Sequence, residues 1–417
     1  MKRYETYKDS GILWLDAIPS HWHEEKLKHI STCNDEVLPE DTPDELIIHY
    51  VEISDVDSVS GINNHTDYTF ANAPSRARRI TRKNDVIIST VRTYLKAIAT
   101  VKEDDLIVST GFAVIRPTKV NQKYLAYSLL NDDFLGEVIS KSVGVSYPAI
   151  NATDLIEIKI PVPPREEQET IAAYLDHKVG QIDATLAEKE QMLEDLKNYR
   201  SAIISEAVTK GLDKNVEMKD SGIDKFPMIR SNWNTSKLKY IASIRSGSAL
   251  PINNIKKDAL YEVYGGNGCM GRTDEYNTES PAIIIGRVGA LCGNVHLIKT
   301  KKWVTDNALI LNIKRDVTYE YLYYYLTAYD LNTLNSSNAQ PLITGTKVLD
   351  VVTPMPSLNE QIMIANYLDD KTSMIDETID QITVQIVELK SYKSTLITEA
   401  VTGKIDLRDW KPKEGSV

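Results

Sequence analysis

SAIISEAVTKGLD, residues 201–213, returns as STLITEAVTGKID, residues 394–406, displaced by 193 positions. A shared Glu-Ala-Val-Thr and a shared closing Asp are more than a helix end needs, so the extent of the repetition decides the fold. Upstream the register holds without a gap. IPVPPREEQETIAAYLDHKVGQIDATL from Ile160 matches TPMPSLNEQIMIANYLDDKTSMIDETI from Thr353. Pro161/Pro354, Pro163/Pro356, Glu167/Glu360, Gln168/Gln361, Tyr174/Tyr367, Leu175/Leu368 and Asp176/Asp369 coincide. A second repeat stands at an offset of 211: KDSGI at 8–12 and 219–223, and SHWHEEKLKHI from Ser20 against SNWNTSKLKYI from Ser231. Tyr124-Leu125-x-Tyr127 is echoed by Tyr321-Leu322-x-Tyr324. The chain is therefore two homologous halves, each a constant frame around a divergent insert. Such duplication suits a protein that reads two different things in one way.

The frames predict long helices. Pro163-Pro164 and Pro356 end what precedes them and open a helix, and the acids that follow (Glu166, Glu167, Glu169; Glu360) suit its N-terminus. Leu175, Ile182, Lys189, Leu196 and Ile203 recur every seven residues, with Val179, Leu186 and Leu193 between them. The second half gives Leu368, Ile375, Ile382, Leu389 and Leu396, with Ile379 and Ile386 between. These are a/d heptads in one register. A helix over 166–209 would be about 66 Å long at ~1.5 Å per residue. Two related halves in one chain imply that these helices pack antiparallel about a pseudo-twofold axis, with one insert at each end of a rod.

Composition removes several function classes. No apolar run reaches the roughly 20 residues needed to span a bilayer, and the opening MKRYETYKDSG lacks the apolar core of a signal peptide. Cys33, Cys269 and Cys292 are widely separated and form no C-x-x-C pair, which argues against a disulfide framework or a zinc site and for a reducing cytoplasm. The net charge is −11, a poor match to nucleic acid at first sight. Its location changes that reading. Residues 161–213 carry −5 and residues 354–406 carry −5, so the rest of the chain is nearly neutral.

Local basic clusters lie in the inserts. SRARRITRK supplies Arg76, Arg78, Arg79, Arg82 and Lys83. STVRTYLKAIATV reads as a strand whose alternation puts Arg92, Tyr94 and Lys96 on one face. The second insert offers Lys256, Lys257, Arg272, Arg287, Lys299, Lys301 and Lys302. Basic groups among Tyr and Asn suit phosphate contacts and base-edge readout, and a solvated charged face is the plainer alternative for any one of them. YGGNGCMGRTDEY from Tyr264 fits a hairpin turn, with Asn267 or Arg272 touching DNA as an addition. It has no Walker A lysine and does not fit a nucleotide loop.

Catalytic signatures are missing: no H-E-x-x-H, no Cys/His cluster, no G-x-S-x-G elbow, and no segment of the kind an amino-methyltransferase uses. The sequence describes a reader, with no metal expected and no catalytic residue assigned. The partner surface is expected on the non-seam faces of the helices and at the repeated helix ends. Glu206/Glu399 and Thr209/Thr402 are the first candidates there, with packing of the helix C-terminus as the competing explanation.

The order KDSGI…IP..HW…KLK, insert, IPVPP..EQ..IA.YLD.K…ID, long helix, EAVT, then the same again, resembles the specificity subunit of Type I restriction–modification enzymes over essentially the whole chain. The second opening, KDSGIDKFPMIRSNW, departs by lacking Trp14-Leu15 and Ile18-Pro19. The resemblance implies an α+β/α/β protein. Two globular target recognition domains (1–159 and 214–352) would be separated by two long antiparallel coiled-coil spacers (160–213 and 353–406), with a tail (407–417) near the N-terminus. It also implies a non-catalytic cytoplasmic subunit that reads a bipartite DNA site and binds two methyltransferase subunits on its helices, with restriction/translocase subunits joining. S-adenosylmethionine, ATP and Mg would belong to those partners and none to this chain. Two readers on one face of B-DNA sit about one turn apart, which leaves an unread gap of roughly 6–7 bp. A coiled-coil scaffolding adaptor without DNA specificity is the alternative. It accounts for the helices and not for two divergent basic inserts.

Overall fold

The computed structural model describes residues 2–58, 60–213, 215–289, 291–335 and 341–412. The heptad segments form the first long helix, Arg165–Lys210, and the second, Leu358–Val401. Each ends at a glycine in the left-handed region, Gly211 (φ +79°) and Gly403 (φ +72°), a conformation that L side chains resist and that commonly closes helices. Along the seam Leu175, Ile182, Leu186, Ile203, Leu368, Ile375, Ile382, Ile386 and Leu396 are buried. Leu193, Leu196, Ile379 and Leu389 are half-buried. Lys189, the polar member of the first heptad series, turns its ammonium to Gln385 Oε1 at 2.7 Å.

The chain divides into two compact units, Met1–Glu190 with Val384–Val417, and Gln191–Thr383. Each unit takes the start of one long helix and the end of the other. In the first, Asp183 pairs with Lys393 at 2.7 Å and Glu190 with Lys390 at 3.4 Å, so the helix segments there run antiparallel. In the second, Arg200 pairs with Asp376 at 2.7 Å. Asp183/Asp376 and Arg200/Lys393 are repeat partners, so the same bridge is made twice.

Several other repeated residues also make the same bonds in both units. Trp22 Nε1 donates to Glu167 at 3.0 Å, and Trp233 Nε1 to Glu360 at 3.4 Å. The Gln168 amide donates to the Pro163 carbonyl at 2.8 Å and accepts from the Asn121 N–H at 2.7 Å. Gln361 does so with Pro356 at 2.9 Å and the Thr318 N–H at 2.8 Å. The Tyr127 hydroxyl donates to Asp176 at 2.9 Å and the Tyr324 hydroxyl to Asp369 at 2.6 Å. The buried Tyr124 hydroxyl lies 2.8 Å from the Pro161 carbonyl and 3.3 Å from that of Val401. Tyr321 lies 3.3 Å from the Pro354 carbonyl and 3.2 Å from that of Val208. Each tyrosine thus ties the proline entry of one long helix to the end of the other.

This explains why Glu-Ala-Val-Thr recurs. Ala207, Val208, Ala400 and Val401 are packed into the bases of the two units, and the carbonyls of Val208 and Val401 are acceptors for the buried tyrosines. The KDSGI segments are the turns of short hairpins. In each, an aspartate side chain accepts from the glycine N–H at 2.8 Å, Asp9 with Gly11 and Asp220 with Gly222. The hairpin forms in the second half although Trp14-Leu15 and Ile18-Pro19 have no counterpart there; Met218–Asp220 pairs with Met228–Arg230.

The inserts share a sheet. In the first unit its order is Ile98–Thr100, Val86–Ser89, Phe112–Pro117, Ser31–Cys33. In the second it is Val295–Ile298, Ala282–Gly286, Ala308–Ile313, Ala242–Ser246. Neighbours are antiparallel throughout. The central strands Val86–Ser89 and Ala282–Gly286 are buried along their whole length, which is why they read as unbroken apolar runs. Beyond this sheet the inserts diverge. The first adds a four-stranded sheet ordered Thr66–Thr69, Ile47–Val51, Leu106–Ser109, Ala77–Ile80; the second adds three strands, Gly268–Thr273, Tyr261–Gly265 and Trp303–Val304.

Met1, expected near the end of the second helix, lies outside the described residues. Its neighbour Lys2 accepts from the Asp406 N–H at 2.9 Å through its carbonyl and pairs with Asp409 at 3.0 Å.

Candidate nucleic-acid interface

The loop that leaves the central strand is built identically in both units. After Ser89, the Thr90 N–H donates to the Gly111 carbonyl at 2.8 Å and the Arg92 N–H to that of Pro148 at 2.7 Å. The Thr90 carbonyl accepts from Ile150 N–H at 2.9 Å. In the second unit Arg287 N–H donates to Asn307 at 3.0 Å, Gly289 N–H to Pro341 at 3.1 Å, and Arg287 carbonyl accepts from Ile343 N–H at 2.9 Å. Bridges Val91↔Ala149 and Val288↔Leu342 complete the match. The 193-residue repeat therefore reaches back to Pro148/Pro341, beyond Ile160/Thr353. Only Pro148/Pro341, Ile150/Ile343 and Thr153/Thr346 mark it there, too little to stand out in the sequence.

The expected strand through Arg92, Tyr94 and Lys96 does not form. Arg92 (φ 49°) and Lys96 (φ 50°) are left-handed and enclose a 3-10 turn at Thr93–Leu95, before Ile98–Thr100 returns antiparallel. The three residues do not share a strand face. Instead Arg92 and Tyr94 sit exposed on a tip. Beside it stands a loop that the sequence reading missed, where Val143, Val145 and Tyr147 are exposed at 80%, 102% and 66%. The Arg92 guanidinium carbon lies 4.8 Å from the Tyr147 ring centroid, and Thr93 Oγ1 and Ser142 Oγ are 2.7 Å apart.

The structure sorts the basic candidates by what holds them. Arg76 pairs with Glu52, Arg82 with Glu36 at 2.5 Å, and Lys96 with Asp132 at 2.5 Å. Hydrogen bonds from Arg82 and then the charge of Arg116 hold Glu36 below the usual carboxylate range. Burial pushes Asp132 up, but Lys96 and Ser394 outweigh it and hold the carboxyl low. Arg78 stacks over Phe70 at 4.6 Å. Arg79 donates to the Thr110 carbonyl at 3.3 Å, and its Nε is buried without a partner. Thr110 N–H in turn donates to the Arg76 carbonyl at 2.8 Å, so Arg76 and Arg79 both hold the turn at Thr110. Arg82 and Lys83 lie past the far end of the Ala77–Ile80 strand, where Lys83 N–H meets Asp104. Among the described residues Lys83 and Arg92 have no carboxylate partner.

In the second unit the glycine-rich stretch is a hairpin, Tyr261–Gly265 against Gly268–Thr273, with Gly266-Asn267 as its two-residue loop. Asn267 accepts from the Asn294 amide at 3.2 Å, which seats it beside the Arg287 loop. Arg287 Nη1 donates to Ser246 Oγ at 3.1 Å, and its Nε is buried without a partner. Burial also keeps the pKa of nearby His296 below its ordinary value. Lys256 and Arg272 stand at the opposite end of the hairpin. Lys256 is paired with Asp274 at 2.6 Å, and Arg272 donates to the Ala259 carbonyl at 2.7 Å. Lys257 is exposed beside them. Asn267 and Arg287 thus form one tip, and Lys256, Lys257 and Arg272 another surface.

At the helix ends Thr209 and Thr402 are buried, and each hydroxyl donates back to a carbonyl four residues earlier at 2.6 Å. Their hydroxyls are spent on closing the helix. Glu206 is exposed and paired with Lys210; Glu399 is half-buried.

Two modules with one frame and two unlike basic tips define a paired DNA-reading protein. The chain belongs to the family described as the Type I restriction modification DNA specificity domain, whose model matches twice, over residues 50–195 and 230–388. Its role is DNA recognition in a Type I restriction–modification system. It is 31% identical over 162 residues to the Type I restriction enzyme EcoprrI specificity subunit of Escherichia coli, a match spanning 38% of each chain. It is 23% identical over 317 residues to the MjaVIII specificity subunit of Methanocaldococcus jannaschii, covering 69% of this chain and 71% of that one. Its fold matches a structure described as the basis of complex assembly and conformational transition of the type I R-M system, with TM-score 0.70, 22% identity, and 93% and 99% of the two chains covered. Among the described residues no helix is long and apolar enough to cross a membrane.

Proposed function

We propose that this chain reads a bipartite DNA site, each unit recognising one half through the tip beyond its central strand. The observation that carries this is the matched cradle, Thr90–Arg92 on Pro148–Ile150 and Arg287–Gly289 on Pro341–Ile343, bearing different side chains. Arg92 with Tyr94 and Tyr147, and Arg287 with Asn267, supply guanidinium, amide and aromatic groups of the kinds that read base edges and stack. Lys83 and Lys257 suit phosphate. Arg76, Arg82, Lys96 and Lys256 reach phosphate only by exchanging a carboxylate, and Arg78, Arg79 and Arg272 serve the fold first.

The reaction chemistry lies with partner subunits in this reading. Two methyltransferase subunits carry S-adenosylmethionine and methylate adenine, and restriction/translocase subunits bring ATP and Mg, all in the cytoplasm. Equivalent docking sites on the two helices are supported by Tyr199 and Tyr392. These stand 193 positions apart and are exposed at 57% and 50%, so packing does not account for their recurrence. Two readers about one DNA turn apart leave an unread gap of roughly 6–7 bp between the half-sites. The test is binding of the full chain with its methyltransferase to a cognate duplex at rising salt. Affinity should fall steeply with salt while a cognate preference persists. Equal affinity for all duplexes would favour a scaffold.

A further inference from the structure

We propose that the first unit carries a site for a borderline divalent cation, zinc in the first instance, formed by His49, His65 and Asp67. The strand register places these groups. Ile47–Val51 pairs antiparallel with Thr66–Thr69, and His49 stands directly opposite Asp67. His65 immediately precedes the strand, two residues before Asp67, and its ring stands beside that of His49. The opposite face is the buried one, with Ile48 and Tyr50 each 3% exposed, so the three polar groups are held outward by the core beneath them.

Their geometry is convergent. His49 Nδ1 lies 2.7 Å and His65 Nε2 3.5 Å from the same oxygen, Asp67 Oδ1. The imidazoles meet edge to face, centroids 5.2 Å apart at 79°. One donor from each residue can be chosen so that all three lie within 4.8 Å of one another. Both rings converge on one carboxylate oxygen, so a single ion placed among them would reach all three residues. Two imidazole nitrogens and one carboxylate oxygen form a three-ligand set, leaving a fourth position for water. That donor set prefers zinc and its neighbours to magnesium or calcium. Bond lengths of about 2.0–2.2 Å need only small rotations of exposed side chains. The ion would clamp Thr66–Thr69, an edge strand, to its neighbour Ile47–Val51.

The test uses the full chain, stripped with a chelator and titrated with zinc against a chromophoric competitor. One saturable equivalent is expected. His65→Ala and His49→Gln should each weaken it roughly tenfold or more, and His29→Gln should leave it unchanged. Saturating zinc should raise the melting temperature of the parent chain and not of H49Q/H65A. No saturable binding, or binding equally tight in H49Q/H65A, would overturn the proposal. DNA recognition stands or falls separately, because the readout is metal affinity.

Discussion

Tyr124 and Tyr321 do the same work in the two units; Arg92 and its counterpart Gly289 do not. The frame repeats to the level of single hydrogen bonds, including the proline carbonyl, the helix-end carbonyl, the Trp–Glu contact and the Gln clamp. The tips share a backbone cradle and its packed side chains, Val91/Val288, Pro148/Pro341 and Ile150/Ile343, and differ in what flanks them, Thr90 and Arg92 against Arg287 and Gly289. Divergence lies in the tips and in the strands added beyond the common sheet. Repetition marks what the fold needs, and the change at the tip marks what the ligand decides.

The comparison can be broken most forcefully in the seam. Leu175→Ala and Leu368→Ala delete fully buried side chains at matched positions and should each cost about 2–5 kcal/mol, read by denaturant unfolding. A large loss at one and none at the other would mean that the frames are not equivalent. The tyrosine ties come next. Tyr124→Phe and Tyr321→Phe leave two carbonyls short of a donor in each unit and should each cost about 1–3 kcal/mol, with helix content retained by circular dichroism.

At the tip the effects should separate. Arg92→Ala should cost about 1–3 kcal/mol on the cognate duplex if the guanidinium is bidentate to guanine. Loss of equal size on a scrambled duplex would assign it to phosphate instead. The smallest effect belongs to the repeated bridge. Asp183→Asn and Asp376→Asn break half-exposed pairs and should each cost about 0.2–1 kcal/mol, less at high salt.

What the sequence reveals follows the same division. Heptads, proline entries and the doubled motifs announce the helices and the two halves, because packing and capping have fixed periods and residue types. The tips are harder to read. A strand through Arg92 and Lys96 satisfies alternation, yet both residues take left-handed backbone, which no composition signal flags outside Gly and Asn. The basic cluster at 76–83 looks like one patch, although Glu36 and Glu52, 24 or more residues away in sequence, claim two of its arginines. Thr209 and Thr402 recur because they close helices under a tyrosine, a packing reason that repetition alone cannot distinguish from docking. Val143, Val145 and Tyr147 escape notice because nothing in their spacing is periodic.

The central claim is that one frame holds two independent readers. It is tested most directly by exchanging residues 23–150 for those of a relative and sequencing the methylated adenines in a host that carries the chimera and its methyltransferase. One half-site should change while the other half-site and the gap stay as they were. A change in both half-sites, or in neither, would contradict the account.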